Sequence, residues 1–339
     1  AQQLNAETAE IPPLRPDEYA GSIPSYNSNI VSLQSLPGAR AVLLLDFFGG
    51  YTPTWGGVYY SRPNAANNHV IRDIWKRVAE DYAPFNINVT TDLKVYLDAQ
   101  ETSRQRVAFT DTPVTAAGVA YYGSWNWGGD IPCWSVYSSG KSAAEVASHE
   151  AGHTLLLSHQ GQWNGTTITN EYYGGHGSGE TGWAPIMGVG YYQPVAQWAK
   201  GEFIAANDQQ DELAVVVGNN NNVAYRADDT GPTLAGSRYL EIYPDNSVFA
   251  EGLIERTGDI DAFQFTTTGG QVSLRARPVG DWSNLGMAVT LANSGNVVMY
   301  TNNPQNTLWA GITTTLPAGT YTFRVHGVGK NNPSNSGFS

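Results

Sequence analysis

The chain has 339 residues, 41% of them hydrophobic, a formal net charge of −12, and only 18 lysines and arginines. That length exceeds one ordinary domain and suffices for a large core. The acidic balance and the lack of any basic stripe exclude nucleic acid and anionic membrane surfaces as partners.

Residues 1–38, with Pro12, Pro13, Pro16 and Pro24, read as an extended arm or the remnant of a pro-region, and the start at Ala1-Gln2-Gln3 suggests a processed form. The apolar run Ala41–Phe48 is a buried strand, followed by the aromatic, glycine-rich Gly49–Tyr60. His69–Tyr82 carries Val70, Ile71, Ile74, Trp75, Val78 and Ala79 at helical spacing, and Pro84 closes it. Asn86–Thr91, Arg106–Asp111, Gly118–Gly123 and Pro132–Tyr137 read as short strands, and Ser142–Leu157 as a helix. Cys133, the single cysteine, can form no internal disulfide and sits in an apolar setting.

The helix carries the decisive pattern, His149-Glu150-Ala151-Gly152-His153-Thr154-Leu155-Leu156-Leu157-Ser158-His159. Two histidines four apart lie on one helix face and reach a single Zn2+, while Glu150 beside them is a general base that need not be a ligand. Six helical residues would carry His159 about 9 Å along the axis and roughly 120° around it. A third ligand therefore requires the chain to turn sharply after about Leu155. Three of the six histidines fall within these eleven residues, which disfavours chance.

Beyond the motif, Tyr172–Trp183 is too glycine-rich for regular structure and is expected to shape a cleft wall, with His176 a loop residue. Ala184-Pro185-Ile186-Met187-Gly188-Val189-Gly190-Tyr191-Tyr192 follows, its glycines permitting a tight turn. Pro194–Phe203 and Gln209–Val217 have helical patterns, and Gly218–Asn222 breaks them. Past Tyr225, strand-length runs at Ser247–Ile254, Ala262–Thr267, Gln271–Ala276, Met287–Ala292, Val297–Thr301 and Tyr321–Val325 alternate with Gly, Asn and Pro turns, the spacing of an all-β sandwich. No apolar stretch reaches the length of a membrane span.

The zinc motif and the Met187 turn resemble those of the metzincin peptidases. Leu156 departs from the family, which has glycine there; a leucine at positive φ costs roughly 1–2 kcal/mol. Gly258–Phe265 and Leu316–Tyr321 resemble the pre-peptidase C-terminal β-sandwich of secreted bacterial peptidases. The resemblance implies an α+β protein: a catalytic domain at 39–217, with a mixed twisted sheet, a backing helix and an active-site helix, and an all-β sandwich at 226–339. It further implies a secreted, monomeric zinc endopeptidase acting on protein or peptide, with His149, His153 and His159 as ligands, Glu150 as base and Met187 beneath the metal. Tyr191 or Tyr192 is the candidate to stabilise the oxyanion. Gly118, Ala120 and Tyr122 form the strand edge on which extended substrate pairs. Asp259 and Asp261 are candidates for Ca2+, though their pattern is more readily that of turn and strand-entry residues. Two alternatives stand beside this reading: a thermolysin-like site with Glu171 as third ligand, and a non-catalytic surface- or matrix-binding protein with structural zinc.

Overall fold

The computed structural model describes residues 2–4, 30–112, 116–136, 139–218, 221–280 and 282–330. Most of the expected N-terminal arm lies outside these residues. The chain combines helices and sheets in the general α+β class. Among the described residues, no helix is long and apolar enough to cross a membrane.

The first unit is built on a six-stranded mixed sheet. Its strands are β1 (Gln2–Leu4), β2 (Ala41–Asp46), β5 (Ile87–Thr90), β6 (Arg104–Phe109), β7 (Gly118–Tyr121) and β8 (Cys133–Ser135), in the order β1-β7-β8-β6-β2-β5. A small hairpin, β3 (Gly50–Thr52) and β4 (Val58–Tyr60), follows β2. Only the β7–β8 pairing in the six-stranded sheet is antiparallel. The continuous apolar run in β2 reflects cover on both faces: Leu43 and Leu45 meet the main core, and Val42 and Leu44 meet α2 (Leu93–Asp98). On the main face lie α1 (Asn68–Asp81), capped by Asn67, and α3 (Gly140–Thr154). Two bonds tie these helices together: Tyr82 donates to the Ser148 carbonyl, and Ser148 donates to Asp81. Cys133 is fully buried, as expected.

Several segments differ from their sequence patterns or gain partners that the patterns do not show. The described end of the expected arm, residues 30–38, packs on the first unit: Ile30 is buried, Ser35 donates to the Val89 carbonyl and Thr91 donates to that of Leu33, so the segment runs along β5. After β9 (Gln162–Trp163), β10 (Ile168–Asn170) and β11 (Trp183–Pro185), the supposedly helical 194–203 instead contains strand β12 (Val195–Gln197), which pairs with β11 in parallel; α4 is only Glu212–Val216. The break after Gly218 is anchored to the first unit rather than being a free joint, although Asn222 and Ala224 are exposed. Asn221 is buried and donates to the carbonyls of Leu155, Val215 and Val216, and Asn86 donates to that of Ala224. The first unit therefore makes contacts as far as Arg226, whose N–H reaches the Pro84 carbonyl.

The second unit has its own core around Phe263, Leu291, Ile312 and Phe323. One sheet has five strands, β13 (Arg238–Tyr239), β14 (Ile260–Thr267), β19 (Gly319–Gly327), β16 (Met287–Asn293) and β17 (Val298–Asn302); the other pairs β15 (Gly270–Ala276) with β18 (Ala310–Leu316). Ser247–Ile254, expected as a strand, makes only a single bridge through Val248. Polar contacts dock this unit onto the first. Asn284 accepts from the Ala196 N–H and donates to Asp81, and Glu180 accepts from the Leu308 N–H.

Candidate metal centre

His149, Glu150 and His153 occupy the last turns of α3, where every residue from Ala143 to Thr154 is buried. The helix ends in a reverse turn that decides the fate of His159. Leu157 N–H bonds the Gly152 carbonyl and Leu156 N–H bonds that of His153, the paired bonds of a Schellman cap. The residue after the cap must be left-handed, and Leu156 is, at φ 73°. The turn predicted for a third ligand thus exists, and leucine occupies the position where glycine is usual. Tyr122 donates to the Leu156 carbonyl at 2.6 Å and Gln210 at 3.1 Å, so tertiary bonds hold the strained residue.

Reversal brings His149, His153 and His159 together, with one ring nitrogen of each lying within 4.8 Å of the others. The Nε2 atoms of His153 and His159 are 3.0 Å apart, close to the about 3.3 Å expected for two nitrogens on one tetrahedral zinc. The far ring nitrogens fix the tautomers. His149 Nδ1 lies 2.9 Å from the Ile186 carbonyl and His153 Nδ1 lies 2.7 Å from that of Leu157. Carbonyl oxygens only accept, so both rings donate from Nδ1 and turn an Nε2 lone pair into the centre. His159 Nδ1 lies 3.1 Å from Glu171 Oε1, which completes the set. Glu171 therefore stands behind His159, outside the ligand group, and does not take the place foreseen for it as third ligand.

Three lone pairs facing one another in a buried space repel, and a divalent cation relieves that repulsion. Burial, reinforced by the neighbouring histidines, holds His149 well below the usual range and His153 down to about 3. His159 is lowered as well, chiefly by burial. The imidazoles are consequently neutral at pH 7, the form that binds metal. All-nitrogen donors suit zinc and disfavour calcium or magnesium.

Met187 is fully buried under this platform. A Cβ on Gly152 would come within 2.7 Å of its sulfur, so the glycine between the two helical histidines makes room for it. Glu150 is 1% exposed, its Oε2 has no hydrogen-bond partner, and burial pushes it up to about 8. It faces β7: a Cβ on Gly118 would lie 2.6 Å from the Glu150 carboxylate. Above the site is a cavity of ≈ 330 Å³ lined by Gly118, His149, Glu150, Tyr172 and Tyr191 among others.

Of the other predicted residues, Tyr191 lines this cavity whereas Tyr192 is 87% exposed. Ala120 is buried in the core, and Tyr122 lies past the end of β7, bonded to the turn. The edge of β7 expected to receive substrate carries β1 in parallel, with Gln2 opposite Val119. His176 pairs with Trp183 and takes no part in the metal group. Tyr172 was not singled out by sequence reasoning. Its ring lies 4.4 Å from that of His159, and burial with the charges of Glu171 and Glu150 raises its pKa. Its position next to Glu171 was the one available signal. Compared with protein-family models, curated proteins and solved structures, the chain matches none.

Proposed function

We propose that the protein is a zinc-dependent endopeptidase of metzincin type that cleaves protein or peptide substrates outside the cell. The observation that carries this reading is the convergence of three Nε2 lone pairs, each fixed by an acceptor on Nδ1, beside a buried carboxylate that is not in the ligand group. A closed structural site needs no such base and no cavity above it, so the catalytic reading is preferred to the matrix-binding one. The acidic, lysine-poor composition and the sandwich favour a secreted enzyme.

Zinc, when bound by His149, His153 and His159, supplies a Lewis acid and lowers the pKa of a water molecule. With the positive charge of a bound cation offsetting the burial that raises its pKa, Glu150 is ionised, takes the proton of the attacking water at the oxygen that has no partner among the described residues, and delivers it to the leaving amine nitrogen. Tyr172 and Tyr191 offer phenolic donors in the same cavity for the oxyanion of the tetrahedral intermediate. The missing side chain of Gly118 leaves room for a scissile peptide beside Glu150. β1 occupies the outer edge of β7 in parallel, so an extended substrate pairs with β7 only by taking the place of β1.

The test is Glu150→Gln in the full chain. About one zinc per chain should be retained while casein cleavage falls about 10²–10⁴-fold, and a chelator should abolish wild-type cleavage until zinc is restored. Full activity of a folded, zinc-loaded Glu150→Gln protein would sink the mechanism.

A further inference from the structure

A second group of ligand-type side chains is separate from the histidines. Asp228, Asp259 and Asp261 present carboxylate oxygens that all lie within 4.8 Å of one another. Oxygens sharing one calcium ion at 2.3–2.6 Å are at most about 5 Å apart, so the group has the size of a coordination shell. Asp228 belongs to the segment that leaves the first unit after Arg226, whereas Asp259 and Asp261 open β14 of the sandwich.

Crowded carboxylates alone do not define a site, but buried carboxylate oxygens without donors at Asp261, and at Glu255 beside the group, add an independent observation. Asp261 is 3% exposed and, among the described residues, its Oδ1 has no hydrogen-bond partner; Glu255 is fully buried and no N–H or neutral hydroxyl of the described residues reaches its carboxylate oxygens, which lie against the carboxyl of Asp259. The Glu255 N–H bonds Asp259 Oδ2 at 3.1 Å, which sets this second carboxylate against the cluster. Ionised oxygens removed from water require compensation by donors or a cation. Arg226, whose charge Glu255 and Asp229 favour, forms no ion pair with them among the described residues. Burial, then Asp229, Asp259 and Asp228, pushes Asp261 up to about 8. Burial and the adjacent Asp259 do the same to Glu255.

We infer that Asp228, Asp259 and Asp261, with Glu255 beside them, form a calcium site that fastens the segment after Arg226 to the first long strand of the sandwich. The donors are hard oxygens without nitrogen or sulfur, the set that selects calcium over zinc. Asp228 is exposed and Asp259 is half-buried, so water can complete the shell. A cleft of ≈ 940 Å³ between the two units, lined by Glu255 and Asp261, gives the ion a path to them. Bound calcium would thereby set the position of the sandwich relative to the first unit, independently of the zinc centre.

The test uses the full zinc-loaded chain, titrated with calcium chloride by calorimetry and followed in parallel by thermal unfolding. One calcium should bind per chain and raise the melting temperature. Asp261→Asn should weaken binding at least tenfold with zinc content unchanged, and in calcium-free buffer at about pH 9, above the value of about 8 to which Asp261 is pushed, it should melt above the wild type because one repelling charge is gone. With saturating calcium that order should reverse. Should Asp261→Asn fail to fold, Asp228→Asn at the exposed ligand should show the same weakening. Absence of saturable calcium binding, binding of magnesium alone, or calcium affinity unchanged in these variants would each overturn the assignment. Because zinc content is read separately, loss of the calcium site and loss of the peptidase reading are distinguishable.

Discussion

Leu156 offers a sharp test of how the third histidine reaches the metal. Its φ of 73° places a non-glycine residue in the left-handed region, which costs a residue bearing a Cβ about 1–2 kcal/mol. Elsewhere glycine is less stable than alanine by about 0.5–1 kcal/mol because it loses more backbone freedom on folding. Leu156→Ala and Leu156→Gly both delete a half-buried side chain whose Cδ2 packs against Gly123, a loss of about 1 kcal/mol common to the two. Glycine additionally relieves the strain. The glycine variant should therefore be more stable than the alanine variant by about 0.5–1 kcal/mol, the reverse of the usual order. Leu156→Val, with branching at Cβ, should be the least stable and hold zinc most weakly. Differential scanning calorimetry, read on the transition that chelation shifts, should separate glycine from alanine by about 1–3 °C. An alanine variant as stable as the glycine variant, or more so, would refute the left-handed turn and with it the route that delivers His159.

Two further outcomes follow from the same centre. Removing Glu171 with alanine should weaken zinc binding by about tenfold, since its carboxylate only orients His159, while His159→Ala should weaken it on the order of a thousandfold; equal losses in competitive chelator titrations would make Glu171 a ligand. Chelated protein should lose stability in acid: His153 is held down to about 3 by burial against the usual 6.5, so the unfolded chain binds its proton first as pH falls. The contribution is present above pH 6.5 and shrinks by about 2 kcal/mol between pH 7 and 5. Chelated His153→Gln should lack that part of the slope, and a wild-type profile parallel to the variant's would count against the buried neutral imidazole.

Local pattern was enough for much of this protein. The apolar spacing of α1, the runs that became β2, β5, β6 and β8, and the i, i+4 histidines of α3 depend on neighbours within a few residues, so the sequence carries them directly. The need for a turn after Leu155 followed from helix geometry alone, and Leu156 supplies it at positive φ. Tertiary structure decided the rest. Val195–Gln197 became a strand because β11 offered it a parallel partner, overriding a helical pattern. Asn221 reads as a loop residue, yet its amide satisfies carbonyls at the ends of two helices once the chain folds back. Glu171 and Tyr172 acquire meaning only against His159, and Asp228 only against Asp259 and Asp261, more than thirty residues away. No periodicity links such residues, because their proximity is set by how the units pack and by which buried polar atoms remain to be satisfied.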